Sequence, residues 1–252
     1  MISRRVSFAG SGGESLAAVI EQPDEGEPRG YVLFAHCFTC TKDIFSARYV
    51  TAGLTARGFA VLRFDFTGQG ASEGDFANTN FSSNVQDLLR AADYMRDNKM
   101  PPFLIAGHSL GGAAVLAAAG DIAEAKIVAT IGAPAEPAHV RHLFTGALDE
   151  IETKGEAQVQ IAGRPFKIKK QFLEDIEETR LARKIAALNK SLLIFHSPVD
   201  KTVGIDNAAK IYAAAKHPKS FVSLDGADHL LSDKKDATYI SDILTAWSLR
   251  YG

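Results

Sequence analysis

Residues 103–112 read F-L-I-A-G-H-S-L-G-G, and this stretch decides how the rest of the chain is interpreted. The apolar residues 103–106 predict a short buried strand, and the alanine-rich run 113–119 predicts a helix. Between them lies the pattern G-x-S-x-G, with Ser109 at its centre. A sharp turn from strand to helix strains the backbone of such a serine and points its side chain out of the sheet. We therefore interpret Ser109 as a nucleophile rather than as an incidental residue of a glycine-rich turn.

The composition narrows the class of protein. The chain has 252 residues, of which 46% are hydrophobic, enough for one large core. Lys plus Arg number 28 and Asp plus Glu number 30, a balance that favours neither nucleic acid nor an anionic membrane as partner. No apolar run approaches the roughly 18 residues of a membrane span, and residues 1–5 do not begin a signal peptide. We therefore expect a cytoplasmic protein.

Strand and helix patterns alternate after residue 30. A continuous apolar run at 31–35 predicts a strand buried on both faces, and 60–64 and 103–106 predict further buried strands. Strands are also predicted at 127–131, 192–195 and 221–224. Amphipathic patterns predict helices at 45–57, 81–98, 206–216 and 237–251. A hairpin of two further strands is predicted before residue 22. This order is typical of an α/β fold with a doubly wound, mostly parallel sheet.

Residues 134–187 interrupt that alternation. They predict a hairpin that turns at Ala162, Gly163 and Arg164, followed by one charged helix at about 170–187. We interpret 1–133 together with 188–252 as the core, and 134–187 as a small lid insertion over the edge of the sheet. The alternative, a surface decoration unrelated to function, stays open.

A serine hydroxyl is a weak nucleophile unless a base takes its proton and a carboxylate orients that base. Asp200 and His229 each follow a predicted strand at its carboxyl end, where catalytic groups of such sheets collect. The chain order Ser109, Asp200, His229 is the order found when a nucleophile elbow carries the serine. Asp228 adjoins His229, so their side chains should point apart. Other carboxylates are less well placed: Asp65, Asp206 and Asp225.

Two backbone N–H groups are expected to bind the oxyanion of the reaction. One belongs to Leu110, directly after the nucleophile, and the other to Phe38 in the loop after the first parallel strand, with Cys37 as the runner-up. Further side chains are expected to line the substrate pocket: Cys37, His108, Phe144 and Phe172. The remaining histidines are interpreted as structural or surface residues: His36, His139, His142, His196 and His217.

Cys37 and Cys40 are the only cysteines and have the spacing C-x-x-C. This spacing occurs in redox pairs and in half of a zinc site. Zinc would need two further ligands, and no second pair lies nearby; a redox pair would normally open a helix, whereas this one lies in a loop. We expect two small buried residues, with no metal and no cofactor. A redox protein built on the pair remains an alternative, and it predicts loss of activity when both are replaced by serine.

Taken together, these motifs resemble the α/β-hydrolase superfamily of serine esterases. The resemblance rests on residues 107–111, the loop around His36, D-F-T-G-Q-G-A-S at 65–72, Asp200, and G-A-D-H at 226–229. L-F-A-H-C-F-T-C at 33–40 and G-D-F-A-N-T-N-F at 74–81 resemble the hydrolase half of bacterial fusions to an OsmC-like domain. The lid is similar in size and place to that of the cinnamoyl and feruloyl esterase group. Cys37 departs from the superfamily, where a glycine is common.

The motifs and the resemblance together predict a serine hydrolase that cleaves small carboxylic esters, with short-chain or aromatic acyl groups, through an acyl-enzyme. A thioesterase or amidase would use the same three residues. A non-catalytic binding protein on the same fold is the alternative from another class, and it would tolerate loss of Ser109 or His229. Whether the chain forms a homo-oligomer or accompanies an OsmC-like domain stays open.

Overall fold

The computed structural model describes residues 1–251. Ten strands are present: β1 (Ile2–Ala9), β2 (Ser15–Gln22), β3 (Tyr31–Ala35), β4 (Ala60–Phe64), β5 (Pro102–His108), β6 (Ile127–Ile131), β7 (Glu156–Ile161), β8 (Arg164–Lys169), β9 (Ser191–His196) and β10 (Lys219–Ser223). The α-helices are α1 (Phe45–Ala56), α2 (Phe81–Asp97), α3 (Leu110–Ala118), α4 (Leu148–Lys154), α5 (Lys170–Glu178), α6 (Leu181–Ala186), α7 (Asp206–Ala214) and α8 (Lys234–Tyr251).

One eight-stranded sheet organises the molecule, in the order β1-β2-β4-β3-β5-β6-β9-β10. In this order, the six strands β4, β3, β5, β6, β9 and β10 are parallel to one another. β2 pairs antiparallel with β4, and β1 pairs antiparallel with β2. All five residues of β4 and of β6 are buried, because helices cover both faces of the sheet. The predicted α/β architecture is therefore confirmed.

Two apolar cores lie on opposite faces of the sheet. On one face, α1 and α8 contribute Val50, Leu54, Ile240 and Leu244, all fully buried. On the other face, α2 and α3 pack beside the lid, whose Phe144 joins the same core. Burial of this kind contributes roughly 25 cal/mol per Å² of apolar surface. β5 lies in the middle of the sheet, between these two cores, and this fixes the position of the turn that follows it.

Residues 134–187, here called the lid, contain a 3₁₀ helix (Pro137–Ala147), α4, the hairpin β7–β8, α5 and α6. The hairpin is confirmed: Ala162 and Gly163 both have positive φ, as a two-residue hairpin turn requires. The single helix predicted at 170–187 is wrong. It is broken at Thr179 and Arg180, which are extended.

A residue from the start of the lid explains this break. The carboxylate of Glu136 accepts hydrogen bonds from the backbone N–H groups of Leu181, at 2.9 Å, and Ala182. It therefore satisfies donors that the first turn of α6 leaves without partners.

Of the helices in the described chain, none has the length and apolarity needed to cross a membrane.

Candidate active site

Ser109 lies at the turn between β5 and α3, with φ 55° and ψ −127°. This left-handed conformation is rare for a residue with a side chain, and it is held by a 2.8 Å hydrogen bond from Ser109 N to the carbonyl of Ile131 on β6. A Cβ atom on Gly107 would collide with the carbonyl of Gly111, and one on Gly111 with the carbonyl of His36. The two glycines of the motif are therefore required by close backbone approach.

The structure brings the three predicted catalytic side chains together. Asp200 follows β9 and His229 follows β10, both at the end of the sheet where Ser109 lies. His229 Nε2 is 3.0 Å from Ser109 Oγ, and His229 Nδ1 is 2.7 Å from Asp200 Oδ2. Both distances are those of hydrogen bonds, which therefore link the Asp200 carboxylate through His229 to the Ser109 hydroxyl.

Asp200 is buried and ionised. Burial by itself would raise the pKa of its carboxyl, but the hydrogen bond from His229 and two backbone N–H donors outweigh it and lower the pKa below its usual range. The two donors are the N–H groups of Thr202 and Val203, at 2.8 and 2.9 Å from Oδ1. A carboxylate fixed in this way favours the histidine tautomer with its proton on Nδ1.

The carboxylate of the adjacent Asp228 makes its hydrogen bonds elsewhere, not to the His229 ring. Its oxygens accept hydrogen bonds from the backbone N–H and hydroxyl of Ser232, at 2.8 and 2.7 Å. It therefore fastens the loop before α8.

Free N–H groups lie beside the serine. Leu110 is the first residue of α3, so its N–H has no partner within the helix. Among the described residues, no acceptor pairs with the N–H of Phe38 or of Cys37. The helix N-terminus adds partial positive charge where an oxyanion would form. The N–H groups of Phe38 and Cys37 are therefore both available to bind an oxyanion, and the hydrogen bonds do not decide between them.

A cavity of about 290 Å³ opens onto Ser109 and His229. The core contributes Cys37, Phe38, Thr39, Cys40, Ile44, Thr202, Val203 and Leu230, and the lid contributes Pro134, His139, Val140, His142, Leu143, Ile161, Ala162 and Arg164. Core and lid thus enclose the same space around the nucleophile.

Only Cys37 among the four predicted pocket residues lines this cavity. Phe144 and Phe172 are buried behind it, with their rings 6.2 and 5.3 Å from the ring of Phe38. His108 is buried beneath His229 and donates from Nε2 to the carbonyl of His229 at 2.7 Å. The prediction that Phe144, Phe172 and His108 line the substrate pocket is wrong, because all three side chains are buried in the core.

His139 and His142, predicted as surface residues, both line the cavity; His142 is exposed and His139 is half-buried. Their rings are 4.8 Å apart, on one side of the 3₁₀ helix of the lid. Burial, followed by the charge of His142, lowers the pKa of His139. Their spacing of three residues is the only sequence signal of a shared face, and it is informative only once a 3₁₀ helix is known.

The two cysteines also differ from expectation. Cys37 and Cys40 form a disulfide, and only Cys37 is fully buried, whereas Cys40 is half-buried at the cavity. Within residues 1–251, no group of three or more His, Cys, Asp and Glu side chains is arranged to hold a metal ion.

A strand–elbow–helix turn bearing a hydrogen-bonded Ser-His-Asp set on a mostly parallel sheet defines an α/β-hydrolase. The model of the alpha/beta hydrolase family matches residues 32–239, and the chain belongs to this family.

Solved structures of esterases are among its neighbours. The esterase domain of a Rhodothermus marinus protein is 51% identical, with a TM-score of 0.82 over 100% of this chain and 99% of that one. Est1E from Butyrivibrio proteoclasticus, solved with ferulic acid bound, is 21% identical and shares the fold, with a TM-score of 0.79 over 98% and 99% of the two chains. The predicted resemblance to the α/β-hydrolase family is confirmed, and the fold is shared with esterase neighbours that include Est1E. These matches identify the chain as a hydrolase with esterase relatives.

Among curated sequences, the mitochondrial palmitoyl-protein thioesterase ABHD10 of Mus musculus is 27% identical over 187 residues, or 71% of this chain. The chain spans between 39% and 62% of the length of the curated relatives that it matches. The resemblance to OsmC-like fusions is not addressed by these matches and stays a prediction.

Proposed function

We propose that the protein is a serine carboxylesterase that hydrolyses small esters, with short-chain or aromatic acyl groups, through an acyl-enzyme. The observation that carries the proposal is the chain of hydrogen bonds from Asp200 through His229 to Ser109, at 2.7 and 3.0 Å. The neighbouring esterase domain at 51% identity supports the same class of reaction.

Each residue has a defined part in the proposed reaction. Ser109 Oγ attacks the ester carbonyl while His229 Nε2 takes its proton, and Asp200 stabilises the imidazolium. The N–H groups of Leu110 and Phe38 bind the oxyanion. His229 then gives the proton to the departing alcohol, and a water molecule, activated by the same histidine, releases the acid from Ser109.

The size of the cavity supports a small acyl group. Its volume of about 290 Å³ lies at the lower end of the roughly 300–1,000 Å³ of ligand pockets. Most of the side chains at its wall are apolar, including Phe38, Val140, Leu143 and Ile161. A flat aromatic acyl group or a short aliphatic one would fit such a space.

A thioesterase is the second candidate, because the mouse relative at 27% identity is named a thioesterase. The two activities use the same nucleophile and differ in the leaving group. Matched acetyl, butyryl and octanoyl esters and thioesters, compared by kcat/KM, would separate them. Higher values for every thioester, after correction for its intrinsic reactivity, would replace the esterase proposal.

Removal of the nucleophile tests the whole class. Ser109→Ala should lower ester turnover by several orders of magnitude, leaving at most the residual ~10³-fold acceleration of an oxyanion site without a nucleophile. A serine-directed phosphonate should label the wild type at Ser109. The matched control is Ser223→Ala, since this serine lies on β10 at the edge of the sheet and bonds to Asp225 rather than to a histidine. Full turnover by Ser109→Ala would leave only a non-catalytic or unrelated function.

A further inference from the structure

The disulfide between Cys37 and Cys40 lies in the loop that follows β3, residues 36–42, here called the oxyanion loop. Both cysteines line the cavity that contains Ser109. The peptide units that the disulfide encloses include the N–H of Phe38, the second proposed oxyanion donor. A covalent ring of four residues therefore surrounds a group on which the proposed reaction depends.

Polar contacts anchor both ends of the oxyanion loop. Its centre is held by the disulfide and by packing of the Phe38 ring against Phe76, Phe144 and Phe172. At the N-terminal end, His36 Nδ1 donates to the carbonyl of Cys37 at 2.8 Å. At the C-terminal end, Lys42 binds Asp65 through its backbone N–H, at 2.6 Å, and its ammonium, at 2.7 Å. Between these anchors, the backbone N–H of Cys40 donates to the carbonyl of Cys37, at 3.2 Å, across the ring that the disulfide closes.

Thr39, inside this ring, has a strained backbone. Its φ of 58° is left-handed, which is unfavourable for a β-branched residue. Its carbonyl accepts a hydrogen bond from the guanidinium of Arg164 at the tip of the lid hairpin. A turn with such a residue at its centre persists only where its surroundings impose it, and here a covalent bond closes the turn.

We propose that the Cys37–Cys40 disulfide is the clamp that holds the Phe38 N–H in position for the oxyanion, so that reduction of this bond lowers kcat. The proposal rests on the esterase function proposed above. The disulfide is a positioning element, because it acts on the reaction through the backbone of Phe38. Disulfides in a reducing compartment, such as the expected cytoplasm, are usually transient and redox-sensing.

The chemistry of opening is thiol–disulfide exchange with a dithiol reductant. A thiolate of the dithiol attacks the sulfur of Cys40, which is the less buried of the two, and Cys37 leaves as a thiolate and takes up a proton. The second thiol of the reductant then closes on the first and releases Cys40 as a thiol. Two electrons pass to the protein, the S–S bond is replaced by two S–H bonds, and the reductant becomes a disulfide.

The test compares oxidised and reduced wild type. The protein is reduced with dithiothreitol, desalted without oxygen, shown by alkylation to carry both thiols free, and assayed on p-nitrophenyl acetate. We expect kcat to fall by between about tenfold and the about 10²–10³-fold that complete loss of an oxyanion donor costs, with KM nearly unchanged and with recovery on reoxidation. A merely structural disulfide would lower the midpoint of thermal unfolding without this selective effect on kcat.

The double variant Cys37→Ser/Cys40→Ser should have the low kcat of the reduced enzyme and should not respond to dithiothreitol. Equal kcat for the oxidised and the fully reduced wild type, or full kcat in the double variant, would overturn the proposal.

Amide hydrogen exchange decides on the clamp independently of turnover. Reduction should speed exchange at Cys40, whose N–H is hydrogen-bonded across the ring, and leave the amides of β3 protected. Unchanged exchange in the oxyanion loop would also overturn the clamp. An oxidised enzyme that hydrolyses no ester would contradict the proposed function instead, and exchange would still decide whether the disulfide orders the loop.

Discussion

The two oxygens of Asp200 have different partners, and this decides what an amide would do in the same place. Oδ1 accepts the N–H groups of Thr202 and Val203, whereas Oδ2 faces His229 Nδ1. An asparagine would keep its carbonyl oxygen towards the two N–H donors, because its NH₂ group cannot accept them. The NH₂ group would then face His229 Nδ1, and the imidazole would carry its proton on Nε2, where it cannot accept the proton of Ser109.

Asp200→Asn should therefore lower kcat by up to about 10⁴, the size of the effect when a triad histidine is held in the wrong tautomer. KM should stay close to that of the wild type, since Asp200 does not line the cavity. Steady-state kinetics on p-nitrophenyl butyrate would measure both. Asp228→Asn is the matched control and should keep most of the activity, because Asp228 bonds to Ser232. The reverse result would make Asp228 the orienting carboxylate.

At the scale of elements, the sequence predicts best where structure depends on neighbours in the chain. The turn between β5 and α3 is predicted by residues 107–111, because both glycines of that motif are needed where backbone segments approach closely. The break between α5 and α6 depends on Glu136, about forty-five residues away, so no local pattern could reveal it. His139 and His142 were missed for a related reason, since only the packed lid brings their 3₁₀ helix to the cavity.

The lid should set the length of acyl chain that the enzyme accepts. The sequence predicts an optimum from acetyl to hexanoyl esters, with a fall at decanoyl and beyond. Leu143 lines the cavity, whereas Leu148, half-buried in the same segment, does not. Because a buried methylene contributes about 0.8 kcal/mol, Leu143→Ala should favour longer chains by about fourfold in kcat/KM for each methylene that enters the new space.

A p-nitrophenyl ester series from acetyl to palmitoyl would measure this shift. Leu148→Ala removes the same atoms elsewhere in the lid and should leave the optimum in place. A wild-type profile that climbs steadily to palmitoyl, or an optimum that neither variant moves, would make the lid a surface decoration.

At the scale of the whole molecule, the sheet that presents the triad also buries a titratable group beneath it. His108 ends β5 and is 1% exposed. Burial, with a further contribution from the nearby His229, lowers the pKa of His108 to about 3. Its Nε2 donates to the backbone of His229, so the neutral ring serves as a structural support for the loop that carries His229.

This burial ties the stability of the fold to pH. An unfolded histidine has a pKa of about 6.5, so below that pH the unfolded chain binds a proton at His108 that the folded protein does not bind until about pH 3. The stabilising contribution is therefore complete above about pH 6.5 and is lost as the pH falls towards 3, by up to about 1.4 kcal/mol per pH unit.

His108→Gln keeps a donor for the His229 carbonyl but cannot titrate, so its unfolding free energy should decline less steeply between pH 6 and pH 4. Urea unfolding followed by the fluorescence of the single tryptophan, Trp247, would give both slopes, and the difference between the proteins at pH 8 would report the packing cost of the substitution by itself. Parallel curves for wild type and variant across this range would show that His108 is not the group that links the fold to pH.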